Sequence, residues 1–483
     1  MTIEEKNTGQ AVAVNRIEHV DDSKLISLGA KPGIDASLLA SCIHCGLCLP
    51  ACPTYLATGR EMESPRGRIH LINQWQQGNA KFTDRMASHI DSCLGCLGCQ
   101  TACPSGVKYE EILNQTRPYL AEKRSGFARF TMRFAFKHVL PKYNLLRLAG
   151  NLLRAWQLMF GTAVLKTLIG KHSEVTHQSP VDSLNEVPHH SQPNRRVTLI
   201  DRLIDWEAFT PLVPPQVSLP PSLQPKTTSG LGRHAQLFAG CVMDVFYNHV
   251  NHASIRLMLK QGHSVDVPKQ TCCGALAYHA GENDIATDLA KKNIDLFGHS
   301  STPVVVTSAG CGAMLKHYGH LLEGNKDYAH KAELFSQRVE DITEFLDAGE
   351  FPEKPKCLEE TTTYHAACHL AHAQNVRKQP EDLLQSLNQE GENKLVPLVE
   401  SEHCCGSAGI YNLLNTKMSL KVLDRKLDFI EKTGAKTVVT TNPGCMIQLQ
   451  AGIRERQLPV DVKHLIEVLD EAYFPEVDQE PKH

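Results

Sequence analysis

Sixteen of the seventeen cysteines in this 483-residue chain fall into two patterns whose spacing suits metal chemistry. The first is C-x2-C-x2-C-x3-C-P, written twice: Cys42, Cys45, Cys48 and Cys52 before Pro53, then Cys93, Cys96, Cys99 and Cys103 before Pro104. Two residues between cysteines let successive thiolates converge on one corner of an iron–sulfur cubane, and the proline, with no N–H to donate, turns the chain away. A structural zinc site usually needs two C-x2-C pairs, so a third cysteine at the same spacing, duplicated, is surplus to it. Thiols this clustered in a long chain also argue against a secreted disulfide framework. The reading is two [4Fe-4S] clusters.

The second pattern is an internal repeat. Cys241 is followed by Cys272-Cys273-Gly274 and Cys311, and Cys368 by Cys404-Cys405-Gly406 and Cys445, with corresponding cysteines offset by 127, 132 and 134 residues. A duplication with small loop insertions leaves such offsets. Neighbouring side chains in extended chain point apart, so adjacent cysteines are awkward for an ordinary cubane. Four thiolates per module suit iron–sulfur or zinc, at one site per module or one shared between them. Burial as small apolar side chains is common for one cysteine but a poor account of eight in register. Gly274 and Gly406 would let the backbone come close to whatever the paired thiols hold. Cys357 lies outside every pattern and reads as structural. His365, His369, His372 and His403 are unpatterned and read as ordinary surface or core residues.

The elements that must position these thiols differ between the two halves. Residues 1–40 read as a lead-in. Within 41–122, Ser64-Pro65 is an N-cap followed by proline at the first helical position, with Ile69, Ile72 and Trp75 on one face and Gly78 as the stop. Met86 and Ile90 continue the pattern in a second short helix. Residues 123–172 form a basic amphipathic helical segment with ten Lys or Arg and no acid. Two readings compete there: core helices with a solvated basic face, or a docking surface for an acidic partner or anionic membrane. Residues 173–233 hold nine prolines and read as a linker draped over its neighbours, with a short helix at 197–206. In the repeat, runs at 236–239, 304–307, 361–365 and 438–441 are strand-like. Helical patterns lie between, as in Phe246, Val250, Ala253 and Leu257, or Leu420, Leu423, Leu427 and Ile430. Modules at 234–350 and 351–473 are therefore α/β, with thiols in loops after strands, where open sheets place ligands. Residues 474–483 are a tail.

Composition bounds the rest. A hydrophobic share of 42%, 21% charged residues and net charge −3 describe an ordinary soluble protein with no general affinity for nucleic acid. The opening MTIEEKNTGQ carries no apolar core of a signal peptide, so a reducing, cytoplasmic compartment is expected. The longest apolar approach to a membrane span, 152–169, is broken by Arg154 and Lys166, leaving only peripheral contact on the inner face.

The doubled cysteine run resembles that of bacterial two-cluster ferredoxins. That likeness implies crossed ligation, with Cys42, Cys45, Cys48 and Cys103 on the first [4Fe-4S] cluster and Cys93, Cys96, Cys99 and Cys52 on the second. The Cys-Cys-Gly signature resembles the module of heterodisulfide reductase catalytic subunits. The combination, in "CIHCGLCLPACPTYLATGREMESPRGRIHLI" and "CLGCLGCQTACPSGVKYEEIL", is similar to the iron–sulfur subunits of glycolate oxidase over nearly the whole chain. The likeness implies a helical two-cluster ferredoxin domain followed by two tandem α/β Cys-Cys-Gly modules. It further implies an electron-transfer subunit of a glycolate dehydrogenase, whose partner flavoprotein carries FAD and passes electrons through this chain to a quinone or other acceptor. Sister families serve D-lactate or anaerobic glycerol 3-phosphate dehydrogenases. The heterodisulfide reductase pattern closes each module with C-x2-C, whereas this chain has Met314 and Gln448 there. That departure leaves the clusters held by Cys241, Cys272, Cys273 and Cys311, and by Cys368, Cys404, Cys405 and Cys445, at two, one or none. A heterodisulfide reductase-like enzyme and a zinc-stabilised assembly module are the competing readings.

Overall fold

The computed structural model describes residues 33–169, 210–225, 232–388 and 394–475. The helix expected at 197–206, most of the lead-in and most of the tail lie outside them. The described chain is multidomain: a helical N-terminal unit, then two α/β modules.

In the N-terminal unit Ser64 caps the helix Pro65–Gln76 by accepting from the Gly67 N–H, and Ile69, Ile72 and Trp75 point into the core. Thr83 caps Asp84–Asp91 in the same way, burying Met86 and Ile90. Trp75 stacks on Phe82 at 4.2 Å and meets the Tyr119 ring edge-on at 4.9 Å. Helix Tyr109–Lys123 closes this core with Ile112 and Leu113.

The first module is a sheet of β1 (Ser222–Leu223), β2 (His234–Phe238), β3 (Ser264–Asp266), β4 (Val304–Val306) and β5 (Val339–Asp341), in the order β1-β3-β2-β4-β5. All neighbours are parallel except β1, which the end of the proline-rich stretch adds antiparallel to β3. The second module holds β6 (Thr362–Tyr364), β7 (Leu395–Val396), β8 (Thr437–Thr440) and β9 (Asp461–His464), ordered β7-β6-β8-β9 and wholly parallel. Without β1 the two orders are the same, as a duplication requires. β4 and β8 are buried along their whole length, as parallel strands covered by helices on both faces must be. The modules share one core, in which Leu237, Val250 and Leu257 pack with Val439, Leu465 and Leu469.

In the basic segment the paired arginines do not form a solvated face. Its helices Gly126–Phe134 and Tyr143–Ile169 turn arginines inward, not to solvent. Arg129 and Arg133 clasp the buried Glu282, Arg133 also pairs with Asp284, and Arg147 makes two 2.8 Å bonds to the buried Asp244. The outward faces are apolar instead: Phe127 is 81% exposed, and Phe130, Phe134, Leu148, Leu152 and Met159 are exposed with it. Buried carboxylates on the first module demand paired cations, and that demand decides which face turns in. Cys357, expected to be structural, is exposed. Among the described residues no helix is long and apolar enough to cross a membrane.

Candidate metal centres

The eight N-terminal cysteines sit on two loops braced by arginines. Gly46 and Gly95 take positive φ between successive cysteines, and a Cβ there would meet an Arg66 nitrogen at 2.6 Å or an Arg117 nitrogen at 2.5 Å. Cys52, Cys93, Cys96 and Cys99 line one small cavity with Leu94, Leu97 and Tyr109, although Cys52 lies some forty residues before the others. Cys93 Sγ accepts from the Gly95 N–H at 3.4 Å and the Tyr109 hydroxyl at 3.6 Å, bonds that fix its position in the loop. Burial pushes the Cys96 and Cys99 thiols well up, an arrangement that makes sense for sulfurs meant to bind metal instead of ionising alone. Below this cavity buried Arg68 donates to the His89 carbonyl, Thr54, Glu63 and Ser92, locking the two loops together. Cys42, Cys48 and Cys103 lie partly buried against the same core, and Cys45 is exposed.

In the modules each single cysteine follows a central strand and opens a helical turn. Cys241 starts the helix Cys241–Phe246, Cys311 lies in the first turn of Ala309–Lys316, Cys368 precedes the turn His369–Ala373, and Cys445 lies in the first turn of Pro443–Arg456. Hydrogen bonding to Cys272 and Cys405, together with burial, pushes the Cys241 and Cys445 thiols well up. The adjacent cysteines diverge to different partners: Cys272 lies 3.6 Å from Cys241, and Cys273 lies 3.3 Å from Cys311. The second module repeats this, Cys404 bonding to Cys368 and Cys405 to Cys445. Within each quartet one thiol is driven toward thiolate by hydrogen bonds from its neighbours: Cys272 by Cys241 and Cys273, Cys405 by Cys404 and Cys445. Gly274 and Gly406 have φ of +90° and +96°, and a Cβ on Gly406 would strike the Ser419 carbonyl at 2.5 Å.

Both quartets line one cavity of about 190 Å³, together with Leu94, Leu276, His279, His369 and Asn442. The modules meet around it: the Ala309 N–H donates to the Thr441 carbonyl at 3.2 Å, and the Gly310 N–H to Asn442 Oδ1 at 3.1 Å. Leu94, from the N-terminal unit, packs with Cys404, Cys96 and Cys368. Thiols of the two patterns, far apart in sequence, are thus neighbours.

Several residues that sequence reasoning set aside belong to this region. His369 contacts the Gly95 carbonyl at 3.2 Å, His372 contacts Thr101 at 3.1 Å and His403 contacts the Pro50 carbonyl at 3.0 Å, so three histidines of the second module grip the cysteine loops. His365 is fully buried beside Cys405 and Cys445, and burial holds its imidazole below the usual range. Its place three residues before Cys368 was the available sequence signal. Lys426 is buried too, donating to the Glu400 and Ser401 carbonyls, and burial brings its ammonium down to about 8. Gln448 is committed elsewhere, accepting from Asn412 at 3.1 Å and donating to Ser419 at 2.9 Å, while Met314 is buried in the apolar core.

Comparison with known proteins agrees with this division. Residues 38–107 match the model of the 4Fe-4S dicluster domain, and residues 235–316 and 362–450 each match that of the cysteine-rich domain. The chain is 33% identical to the probable glycolate oxidase iron-sulfur subunit of Bacillus subtilis (strain 168), over 93% of this chain and 98% of that one. It is 28% identical to the glycolate oxidase iron-sulfur subunit of Escherichia coli (strain K12), over 90% and 94%. Lactate utilization protein A of Geobacillus sp. (strain WCH70) is 31% identical over 48% of this chain and 98% of its own length. On this similarity across nearly its whole length, carried by both cysteine patterns, the chain belongs to the family of glycolate oxidase iron-sulfur subunits.

Proposed function

We propose that this chain is the electron-transfer subunit of a flavin-dependent glycolate dehydrogenase, receiving electrons from a separate FAD-bearing subunit and passing them to a quinone or another acceptor. Oxidising a 2-hydroxy acid releases two electrons as a hydride, which a flavin accepts; [4Fe-4S] clusters then supply one-electron transfer. Cys42, Cys45, Cys48 and Cys103 would hold the first cluster, and Cys93, Cys96, Cys99 and Cys52 the second. The observation that carries the reading is the cavity lined by Cys52, Cys93, Cys96 and Cys99, next to Leu94, Cys368 and Cys404. Apolar side chains there exclude water, and Arg68 and Arg117 set a positive field around buried sulfur. The Cys-Cys-Gly quartets extend the same line of thiols. Thiol–disulfide chemistry at those quartets draws no support from Met314 or the hydrogen-bonded Gln448. The domain limits follow the same assignment: 41–122 for the clusters, 123–172 for the basic helices, 234–350 and 351–473 for the modules. The exposed Phe127, Phe130, Leu148 and Leu152 are proposed as the contact with the inner face of the membrane.

The test is anaerobic mixing of the full chain with its flavoprotein, following the visible absorption of the clusters. Glycolate should bleach it only in the mixture, and Cys96→Ser should abolish electron delivery to quinone while glycolate binding to the flavoprotein persists. Glycolate oxidation by the isolated chain overturns the subunit reading. Bleaching by lactate or glycerol 3-phosphate, but not by glycolate, moves the chain to a sister activity; the lactate-utilization relative makes lactate the first alternative.

A further inference from the structure

The second module carries a nitrogen donor where the first carries a hydrocarbon ring. Three residues before its single cysteine, the second module has His365 and the first has Phe238, which is fully buried and stacks on Phe297 at 5.7 Å. His365 is also fully buried, and among the described residues its ring nitrogens make no well-formed hydrogen bond, having only looser approaches to the Cys405 sulfur and the Ser401 backbone. A buried imidazole left so is costly, and in native proteins it usually has a reason. One of its nitrogens and the sulfurs of Cys405 and Cys445 all lie within 4.8 Å of one another. Around one tetrahedral zinc-type ion, bonds of about 2.3 Å to sulfur and 2.0 Å to nitrogen put neighbouring donors about 3.5 to 3.8 Å apart. Small side-chain movements would close the three donors onto such an ion.

We infer that His365, Cys405 and Cys445 hold a single divalent ion of zinc type in the second module, its fourth position facing the shared cavity where Cys368 and Cys404 stand. The charge balance agrees. Two or three thiolates on a divalent ion leave a neutral or negative centre, and the buried ammonium of Lys426, anchored on the Glu400 and Ser401 carbonyls, lies within electrostatic reach of Cys405, Cys404 and Cys445. His365 follows the last residue of β6, and its N–H is tied to the Val439 carbonyl of β8 at 2.8 Å, so the sheet fixes the imidazole before any metal arrives. The first quartet, with Phe238 in that place, lacks the site.

The experiment is elemental analysis of the anaerobically purified full chain after dialysis against a chelator, reading zinc and iron separately. Zinc should be present at about one per chain, fall at least tenfold in His365→Phe and Cys445→Ser, and persist in Cys311→Ser of the first module. His365→Cys restores a soft donor at the same position and should retain more zinc than His365→Phe, which separates lost ligation from lost folding. Protein produced with cobalt(II) should show tetrahedral ligand-field absorption that His365→Phe removes. The iron content and its visible absorption report the N-terminal clusters independently, so failure of the zinc site and failure of the electron-transfer reading look different. A wild-type chain without zinc, zinc unmoved by His365→Phe and Cys445→Ser, or loss of iron in place of zinc overturns the inference.

Discussion

The two Cys-Cys-Gly modules share a strand order and a pairing of thiols, yet their surroundings have been put to different uses. In the first, the helix beginning at Cys241 carries Asp244, and the loop before Asn283–Phe297 carries Glu282; both acids are buried and both receive arginines from the basic helices. The position matching Asp244 in the second module is Ala371, and the histidines around it reach the N-terminal loops instead. One copy anchors a helical arm; the other docks the cluster-bearing unit. A duplicated fold keeps what the sheet needs and is free to change what its rims touch.

Breaking the first module's anchor should give the largest effect. Arg147→Ala leaves Asp244 buried with, among the described residues, Asn248 as its remaining side-chain donor, at 3.1 Å, and should cost about 3–5 kcal/mol, read as a fall in the urea midpoint. Arg425→Ala in the second module removes a pair with the partly exposed Glu400 and should cost under about 1 kcal/mol. Equal losses would show that the inward arginines are not what fastens the arm.

A second contrast concerns pH. Equivalent strands β5 and β9 each end in a capping box, built on Asp341 in one module and His464 in the other. Burial raises the Asp341 carboxyl to about 6, so its contribution is fully present below its unfolded value near 3.8 and is lost as pH rises through 6. Burial lowers the His464 imidazole to about 4, so its contribution is present above 6.5 and lost as pH falls through 4. Each is worth about 3 kcal/mol by linkage, and between pH 4 and 6.5 the two slopes oppose. Denaturant titrations of Asp341→Asn should show stability falling toward acid, and those of His464→Gln stability falling toward neutral pH. Parallel slopes in the two variants would contradict the assignment.

The smallest effect on stability should come from the arm's outer face. Replacing Phe127, Phe130, Leu148 and Leu152 by serine should change stability by about 0.5 kcal/mol or less per site while releasing the chain from anionic lipid vesicles in flotation. Retained flotation would remove that face from the membrane reading.

Much of the fold was legible in the chain. The Ser64-Pro65 start, the buried face of Pro65–Gln76, the strand after which each single cysteine falls, and the Leu423, Leu427 and Ile430 face of Thr416–Thr433 were all written in short-range patterns. The orientation of the basic helices was not, because their 3.6-residue periodicity defines two faces without saying which one meets Glu282 and Asp244. His365 was only faintly marked, by its place three residues before Cys368: its neighbours Cys405 and Cys445 lie 40 and 80 residues away, and a lone histidine carries no record of who stands beside it.

By itself the sequence determined the class of chemistry and the duplication, because ligand spacing in C-x2-C-x2-C-x3-C-P and recurrence of Cys-Cys-Gly are properties of neighbouring residues and fixed periods. Only the tertiary structure decided which thiols meet. It brought Cys52 to Cys93, set Cys96 against Cys368, opened both quartets onto one cavity and gave one of them a histidine. Those meetings depend on how the parallel sheets pack against each other and against the N-terminal helices, and burial of apolar surface, which drives that packing, has no direction along the chain.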